Sequence, residues 1–194
     1  MTTIRIMKEH ERTRVAALVQ DTMHNRYGSD AYALPELVFV AEDDCGALTG
    51  AMGLSVSDGE PFHLEETYSF DHKIFPAVFD RTTIVELGRW VARVPGIAES
   101  LLYASILSAI KRGCAWGIGE VKPQVARRFA GFGITVIPLF GTPNLAKIPA
   151  GALPYYCSPP SPMLVAIALH DAAAVLYKKV APFVREKRIL FLGI

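Results

Sequence analysis

The alternation of apolar and polar residues divides the front half of the chain into short strands and one helix. Residues 3–7 alternate as a strand does, and apolar side chains at helical spacing predict a helix from Glu9 to about Gln20. Two runs rich in β-branched and apolar residues, Leu37–Ala41 and Leu48–Val56, flank an acidic turn that contains Gly46. This pattern predicts an antiparallel pair of strands.

The back half alternates strands with helices. The best helix runs from Ala98 to Arg112, since its apolar residues lie on one side and Gly113 follows it. Strands are predicted at about 82–92, Cys114–Gly119, Ile134–Phe140 and Met163–Leu169, and further helices at 71–79, from Pro123 to Ala130 and from about His170 to Glu186. The sequence therefore predicts one α/β domain over residues 1–194, a mixed β-sheet flanked by helices on both faces.

Composition narrows the class of protein. Apolar residues make up 51% of the 194 residues and the net charge is +1, so nothing in the overall balance favours nucleic acid or an anionic membrane as a partner. The three cysteines are far apart and the histidines have no paired spacing, so we expect reduced thiols and no metal site. The apolar runs are shorter than a membrane span, and we expect a cytoplasmic protein.

The stretch from Thr83 to Ala98 carries the most informative chemistry. It reads as a strand, a glycine turn and the start of a helix, yet the strand contains Glu86 and Arg89. Residues three apart in a regular strand face opposite ways, so both side chains can share a cleft only if the strand is bulged, and Gly88 between them makes a bulge reasonable. The helix that starts near Gly96 offers unpaired N–H groups and a partial positive charge, which attract an anion.

The turn Arg93-Val94-Pro95-Gly96-Ile97-Ala98 resembles the Arg-x-x-Gly-x-Ala pattern of the acyl-CoA N-acyltransferases of the GNAT superfamily. The resemblance implies a GNAT-like fold, an acyl thioester as co-substrate, and a donor site formed by Trp90, Val91, Arg93, Gly96, Ile97 and Ala98. In that superfamily the preceding strand is bulged and frees a backbone N–H for the thioester carbonyl. Pro95 removes one donor from the turn, and Glu99 puts a negative charge where phosphate would lie.

Two narrower resemblances refine the likeness to the GNAT superfamily. Glu86-Leu87-Gly88-Arg89 is similar to the Glu-x-x-Arg signature of acyl-homoserine-lactone (autoinducer) synthases, which join an acyl thioester to S-adenosylmethionine. A closer match over most of residues 25–168 is the thermostable-hemolysin family, itself related to both groups. The segments that carry it include "IVELGRWVARVPGIAESLLYASILSAIKRG", "RRFAGFGITVIPL" and "PYYCSPPSPMLVA", together with Leu64-Glu65 from an otherwise altered run.

Acyl transfer to an amine needs a group that accepts the amine's proton, and a shielded carboxylate suits this role. We assign Glu86 as the first candidate base or substrate anchor, with Arg89 holding Glu86 or a substrate carboxylate; a plain ion pair between them is the structural alternative. Of Glu65 and Glu66, on a neighbouring strand or loop, Glu65 is the preferred cleft residue. Tyr155 or Tyr156 could protonate the departing thiolate, or simply pack under its loop.

Several alternatives stay open. Lys122, Arg127 and Arg128 could bind a phosphate or an acidic acyl carrier protein, or form a solvated helix face, and the tail "RILFLGI" could extend a sheet of its own chain or of a homodimer partner. The first functional hypothesis is an acyltransferase that moves an acyl group from a coenzyme A or carrier-protein thioester to a small-molecule amine. The others are an autoinducer-synthase-like enzyme that uses S-adenosylmethionine and a non-catalytic or membrane-active protein on the same fold.

Overall fold

The computed structural model of the chain describes residues 1–57, 61–69 and 80–194. The predicted helix at 71–79 lies outside these residues. The strands are β1 (Thr2–Ile6), β2 (Leu37–Asp43), β3 (Leu48–Val56), β4 (Tyr68–Ser69), β5 (Ile84–Ala92), β6 (Trp116–Val121), β7 (Ile137–Pro138), β8 (Thr142–Pro143), β9 (Met163–Ala168) and β10 (Ile189–Leu192). The α-helices are α1 (Arg12–Tyr27), α2 (His63–Thr67), α3 (Ile97–Lys111), α4 (Pro123–Phe132), α5 (Leu153–Cys157) and α6 (Leu169–Arg185).

Eight of these strands form one mixed sheet in the order β10-β1-β2-β3-β5-β6-β9-β7. The front half is antiparallel from β1 to β5, as the hairpin pattern predicts, whereas β5 and β6 run parallel across the connection through α3. The C-terminal strand β10 pairs in parallel with β1 of its own chain. The tail thus completes its own sheet edge, and a homodimer remains a prediction without support from that segment.

Helices cover both faces of the sheet, because successive strand residues point to opposite sides. On one face α3 and α6 pack together over a core that includes Phe39, Met52 and Leu101. On the other face α1 covers the alternate residues Val38 and Val40. The mixed α/β sheet flanked by helices is therefore confirmed.

Element boundaries differ from the prediction where local chemistry overrides periodicity. Helix α1 continues past Gln20 through Tyr27 and ends only at Gly28, which adopts the left-handed conformation with φ of 61°. The strand predicted at Ile134–Phe140 shrinks to Ile137–Pro138 at the sheet edge, where Pro138 has no N–H to donate to a ladder. The short helix α5 within the proline-rich loop was not predicted.

Within the described part of the chain, no helix has both the length and the apolar character needed to cross a bilayer.

Candidate active site

Strands β5 and β6 are paired only at their beginnings and diverge at their carboxyl ends. Their hydrogen-bonded register covers Ile84–Glu86 against Trp116–Ile118, although β5 continues to Ala92 and β6 to Val121. Gly119 lies at the point of divergence, where an added Cβ would come within 2.8 Å of the Leu87 carbonyl oxygen. The divergence opens a gap in the sheet at the ends of two parallel strands, the usual position of a ligand site in an α/β sheet.

The gap between the two strands opens into a cavity of about 440 Å³. Its walls come from β5, β6, α1, α4 and the start of α3, and they include both polar and apolar side chains. The ionisable residues on its lining are Arg26, Glu86, Arg89, Glu120, Lys122, Arg128 and three tyrosines, Tyr27, Tyr32 and Tyr155. The volume is within the range of small-molecule sites.

A β-bulge in β5 brings Glu86 and Arg89 into the same cavity. Gly88 pairs with Gly53 and Val91 with Ala51, so Arg89 and Trp90 together oppose the single residue Met52. The predicted bulge is confirmed, but its left-handed residue is Arg89, with φ of 54°, and not Gly88. The bulge turns the arginine so that its Nη1 lies 4.0 Å from Glu86 Oε1.

Arg89 is held by contacts that offset the cost of a left-handed arginine, roughly 1 kcal/mol. Its Nε donates to the Ala33 carbonyl at 3.0 Å, and its guanidinium lies 5.3 Å from the centroid of the Tyr32 ring. Both partners belong to the segment between α1 and β2, which is tied down on its other side by the buried Ser29 hydroxyl donating to the Ala152 carbonyl. The site is therefore closed by a fixed segment of chain.

Glu86 is a buried carboxylate, only 4% exposed. Its Oε2 accepts a hydrogen bond from the Leu64 N–H at 3.2 Å, at the start of α2. Burial raises the pKa of Glu86, while the Leu64 hydrogen bond and the charge of Arg89 offset part of the rise. One oxygen thus anchors α2 and the other faces Arg89.

Across the gap, Glu120 on β6 is the second buried carboxylate of the cavity. Its Oε1 accepts a hydrogen bond from the Tyr156 hydroxyl at 3.0 Å, and Oε2 is buried without a well-formed hydrogen bond to any described residue. Burial raises the pKa of Glu120 to about 7, and hydrogen bonding from Tyr156 and Tyr68 offsets part of that rise. The neighbouring charge of Glu86 adds to it.

An aromatic cluster surrounds these carboxylates. The Tyr155 and Tyr156 rings of α5 contact each other edge to face at 5.3 Å, and Tyr32 contacts His63 at 4.1 Å. Burial raises the pKa of Tyr156 and lowers that of His63 to about 4, so near neutral pH the phenol is protonated and the imidazole is uncharged. Two of these rings, Tyr32 and Tyr155, line the cavity.

Lys122 holds the loop that carries this cluster. The lysine is only 3% exposed, and its Nζ donates to the carbonyls of Tyr155, Ser158 and Pro160 while lying 4.7 Å from the Tyr155 ring centroid. The alternative of a solvated basic face is therefore wrong for Lys122, because three backbone carbonyls draw it inside. Arg127 and Arg128 are exposed, as that alternative expected.

The turn before α3 is built as an anion site would be, although only part of it reaches the cavity. Gly96 is left-handed, with φ of 83°, and precedes the first residue of α3. Trp90, Val91 and Ala98 line the cavity, whereas the Ile97 side chain is buried in the core and the exposed Arg93 lies 3.8 Å from Asp21. Arg93, Gly96 and Ile97 do not line the cavity, so any contact they make with a ligand is at the rim of the cavity.

The Glu99 charge in the first turn of α3 is neutralised. Arg128 on α4 forms a short ion pair with Glu99 Oε1 and also lines the cavity. The Trp90 indole stacks on Phe129 at 5.4 Å and donates its N–H to the Ala98 carbonyl at 3.2 Å. The predicted donor region is thus joined to α4 by an aromatic stack and an ion pair.

Glu65 does not reach the cavity. The segment that carries it is helix α2 and not a strand, so the alternation argument for Glu65 and Glu66 was wrong. The Glu65 carboxylate accepts from the Phe62 N–H at 2.7 Å at the start of the helix and pairs with Arg81. Its neighbour Leu64 lines the cavity instead.

Sequence reasoning missed Glu120 and Tyr32. Glu120 had a signal of the same kind as Glu86, a lone carboxylate in an apolar, glycine-containing strand, "WGIGEV". Tyr32 had none, since it lies in a polar segment whose path over the site is not encoded in any local period. Among the described residues, ligand atoms of Asp43, Asp44 and Cys45 cluster in the exposed β2–β3 turn, but Asp43 already accepts the N–H groups of Cys45 and Ala47.

Solved structures of known proteins share this fold. The chain is similar to the CoA-dependent acyl-homoserine lactone synthase BjaI, solved with SAM and isopentyl-CoA, with 16% identity, a TM-score of 0.70, and coverage of 100% of this chain and 95% of that one. It is similar to TofI, solved with an inhibitor and MTA, at 14% identity, a TM-score of 0.65 and coverage of 90% and 96%. The fold is therefore that of the acyl-homoserine lactone synthases.

Part of an N-acetylglutamate synthase has a similar fold. N-acetylglutamate synthase from Neisseria gonorrhoeae, solved with coenzyme A and N-acetyl-glutamate, matches at 15% identity with a TM-score of 0.54, over 88% of this chain and 35% of that one. A comparison with curated protein sequences gives no significant match. The sequence profile of the thermostable hemolysin family matches residues 6–169, and the chain belongs to that family.

Proposed function

We propose that the protein is an acyltransferase that moves an acyl group from a thioester to the amine of a small molecule. The observation that carries the proposal is the divergence of β5 and β6, which leaves the end of β5 unpaired with β6 beside the buried pair Glu86 and Arg89. An unpaired strand edge offers N–H and C=O groups to an extended amide-containing chain such as pantetheine. The cavity also has room for a second small molecule near the two carboxylates.

The donor lies along β5 with its phosphates at the start of α3. Ile97 and Ser100 donate their N–H groups to the Val94 and Gly96 carbonyls, and within the described part of the chain the N–H groups of Ala98 and Glu99 have no such partner. They can donate to a phosphate, which the helix dipole favours. Arg128 and Arg26 on the cavity wall supply positive charge, which is consistent with coenzyme A or the phosphopantetheine of an acyl carrier protein.

The acceptor lies at the closed end of the cavity, between Arg89 and the aromatic cluster. A guanidinium opposite carboxylates suits a molecule with both a carboxylate and an amine, because each charge then has a partner. S-adenosylmethionine is the second candidate acceptor, and the structural likeness to BjaI and TofI, which were solved with SAM and MTA, favours testing it. In both cases Arg89 positions the acceptor.

The test is product formation, measured by mass spectrometry, from acetyl- and octanoyl-coenzyme A and an acylated carrier protein. The acceptors are amino acids, alkylamines, hydroxylamine and S-adenosylmethionine. The Glu86→Gln and Gly96→Asp variants should lose most of the turnover. Gly113→Asp is the matched control, since Gly113 is also left-handed, with φ of 85°, but lies at the far end of α3. Absence of turnover with every pair, or full turnover in folded Glu86→Gln and Gly96→Asp, contradicts the proposal.

A further inference from the structure

The cavity contains two carboxylates that differ in how many of their oxygens already have a hydrogen-bond or ion-pair partner. Glu86 pairs with Ile118 in the β5–β6 ladder, and Glu120 lies two residues beyond Ile118, so both carboxylates are on the same face of the sheet. Glu86 is committed on both oxygens, to the Leu64 N–H and to Arg89. Glu120 has one oxygen fixed by Tyr156, and its other oxygen, Oε2, has no well-formed hydrogen bond to a described residue.

The Tyr68 hydroxyl also interacts with the Glu120 carboxylate, but Oε2 is buried without a well-formed hydrogen bond to a described residue and can take a further partner. A bound ammonium group supplies one, because it donates hydrogen bonds and carries the opposite charge. The tyrosine rings around Glu120 shield this place from water, which strengthens such a contact. Glu120 is therefore placed to accept a hydrogen bond from the ammonium group of a ligand.

We propose that Glu120, held by Tyr156, is the residue that takes the proton from the acceptor amine, and that Glu86 with Arg89 positions the acceptor. This inference rests on the proposed acyl transfer. It reassigns the role of base, for which Glu86 was the first candidate, to a residue that sequence reasoning did not single out. A carboxylate whose proton affinity is close to that of neutral solution is well matched to such a transfer.

The acceptor arrives as an ammonium ion and gives one proton to the Glu120 carboxylate, which becomes a carboxylic acid. The neutral amine attacks the thioester carbonyl carbon, a C–N bond forms, and the C–S bond breaks with its electron pair leaving on sulfur. The second proton of the attacking nitrogen goes to the thiolate, and Glu120 returns its own proton to solvent. Amide and thiol are the products.

Other ionisable groups face Glu120 from each element packed against it. Arg89 on β5 and Lys122 after β6 favour its charged form, and Glu86 opposes it. The uncharged phenols that face it are Tyr32 before β2, Tyr68 on β4, and Tyr155 and Tyr156 on α5. The balance of these charges sets where Glu120 titrates.

The test compares acceptors that need a base with one that does not. Acylation by octanoyl- and acetyl-coenzyme A is measured with L-methionine, S-adenosylmethionine and ethylamine, and with hydroxylamine, which is already neutral at about pH 8. In Glu120→Gln, kcat/KM for the charged amines should fall about 100-fold or more, and for hydroxylamine less than about 10-fold. With a charged amine, wild-type kcat/KM should rise with pH up to about 7, and the variant should lose this rise.

Tyr156→Phe provides the second variant, since it keeps the base but removes its hydrogen bond. It should move the rise in kcat/KM to higher pH without abolishing it. Equal losses for charged amines and hydroxylamine, or an unchanged pH profile in folded Glu120→Gln, overturn the role of Glu120 alone. A wild type that acylates only hydroxylamine also overturns it, because a working base would serve charged amines. A wild type that forms no product at all overturns the acyl-transfer proposal and this role with it.

Discussion

Glu86 and Arg89 are three residues apart on one strand, yet their side chains meet at 4.0 Å in one cavity. A regular strand would point them to opposite faces, and the bulge at Arg89 and Trp90 removes that conflict. The cost falls on Arg89, which adopts a backbone conformation that suits glycine. The site is thus assembled at the expense of local backbone stability, as is common for functional positions.

Substitution of Arg89 can separate the backbone effect from the side-chain effect. Arg89→Gly and Arg89→Ala both remove the contacts to Ala33 and Tyr32, but only glycine relieves the left-handed strain. The glycine variant should therefore be more stable than the alanine variant by about 1 kcal/mol in urea unfolding. At the ordinary strand position Thr3 the same pair should show the reverse order. Equal stability of the two Arg89 variants would contradict the assigned conformation.

The ion pair between Glu99 and Arg128 should control coenzyme A affinity. Glu99→Gln removes a negative charge from the first turn of α3 and releases Arg128, so coenzyme A should bind about 2- to 5-fold more tightly in calorimetry at low salt. Arg128→Ala should weaken binding by a similar factor. Glu186→Gln, which changes the charge equally at the exposed end of α6, is the control and should leave binding unchanged. Tighter binding by Arg128→Ala would exclude phosphate from this place.

Lys122 should stabilise the loop that carries α5. Lys122→Met keeps the length of the side chain but leaves three carbonyls, of Tyr155, Ser158 and Pro160, without their donor. The free energy of unfolding should fall by about 2 kcal/mol, measured by chemical denaturation. Arg127→Met, an exposed change on α4, which follows Lys122, should alter it by less than about 0.5 kcal/mol. An equal effect of the two variants would argue against the loop-holding role.

The fold was largely predictable because its elements carry strong local signals. The hairpin around Gly46 and the apolar stripe of α3 follow from turn chemistry and periodicity, and the family resemblance placed them in order. Elements with weak signals were missed or displaced: α2 contains Glu65 and Glu66 in a run of five residues, too short for helical periodicity to show. Short elements take their form from packing, which a single sequence does not display.

Some residues of the site could be predicted from the sequence, and others could not, because only some of them carry a local signal. A charge inside an apolar strand stands out, which identified Glu86, and the same argument applies to Glu120. The partners of these residues could not be found in this way, since Tyr32, before β2, and Tyr156, on the short helix α5, are distant in sequence and are brought together by contacts such as Ser29 with Ala152. Lys122 looked exposed on a basic helix face, and only the fold shows that it is buried.

Titration of Glu120 should make the stability of the protein depend on pH. Its pKa is raised to about 7 in the folded protein, from an ordinary value near 4.5. Because the folded protein binds this proton more tightly than the unfolded chain does, protonation of Glu120 stabilises the fold. This stabilisation is complete below the unfolded-state pKa of 4.5 and is lost as pH rises from there through about 7. The total is roughly 3 kcal/mol, from 1.36 kcal/mol per pH unit. Glu120→Gln cannot ionise, so its free energy of unfolding, relative to wild type, should increase by that amount between about pH 4 and pH 8.

Two further variants make this test specific to Glu120. Tyr156→Phe removes a donor to the charged carboxylate, so its loss of stability should begin at the same pH as in wild type but continue to higher pH and reach a larger total. Glu66→Gln, at an exposed position on α2, is the control for the loss of one carboxylate at the surface. Parallel curves for wild type and Glu120→Gln would instead mean that Glu120 titrates alike in the folded and unfolded chain. In that case the hydrogen bond from Tyr156 and the charges of Arg89 and Lys122 would fully offset the burial of the carboxylate.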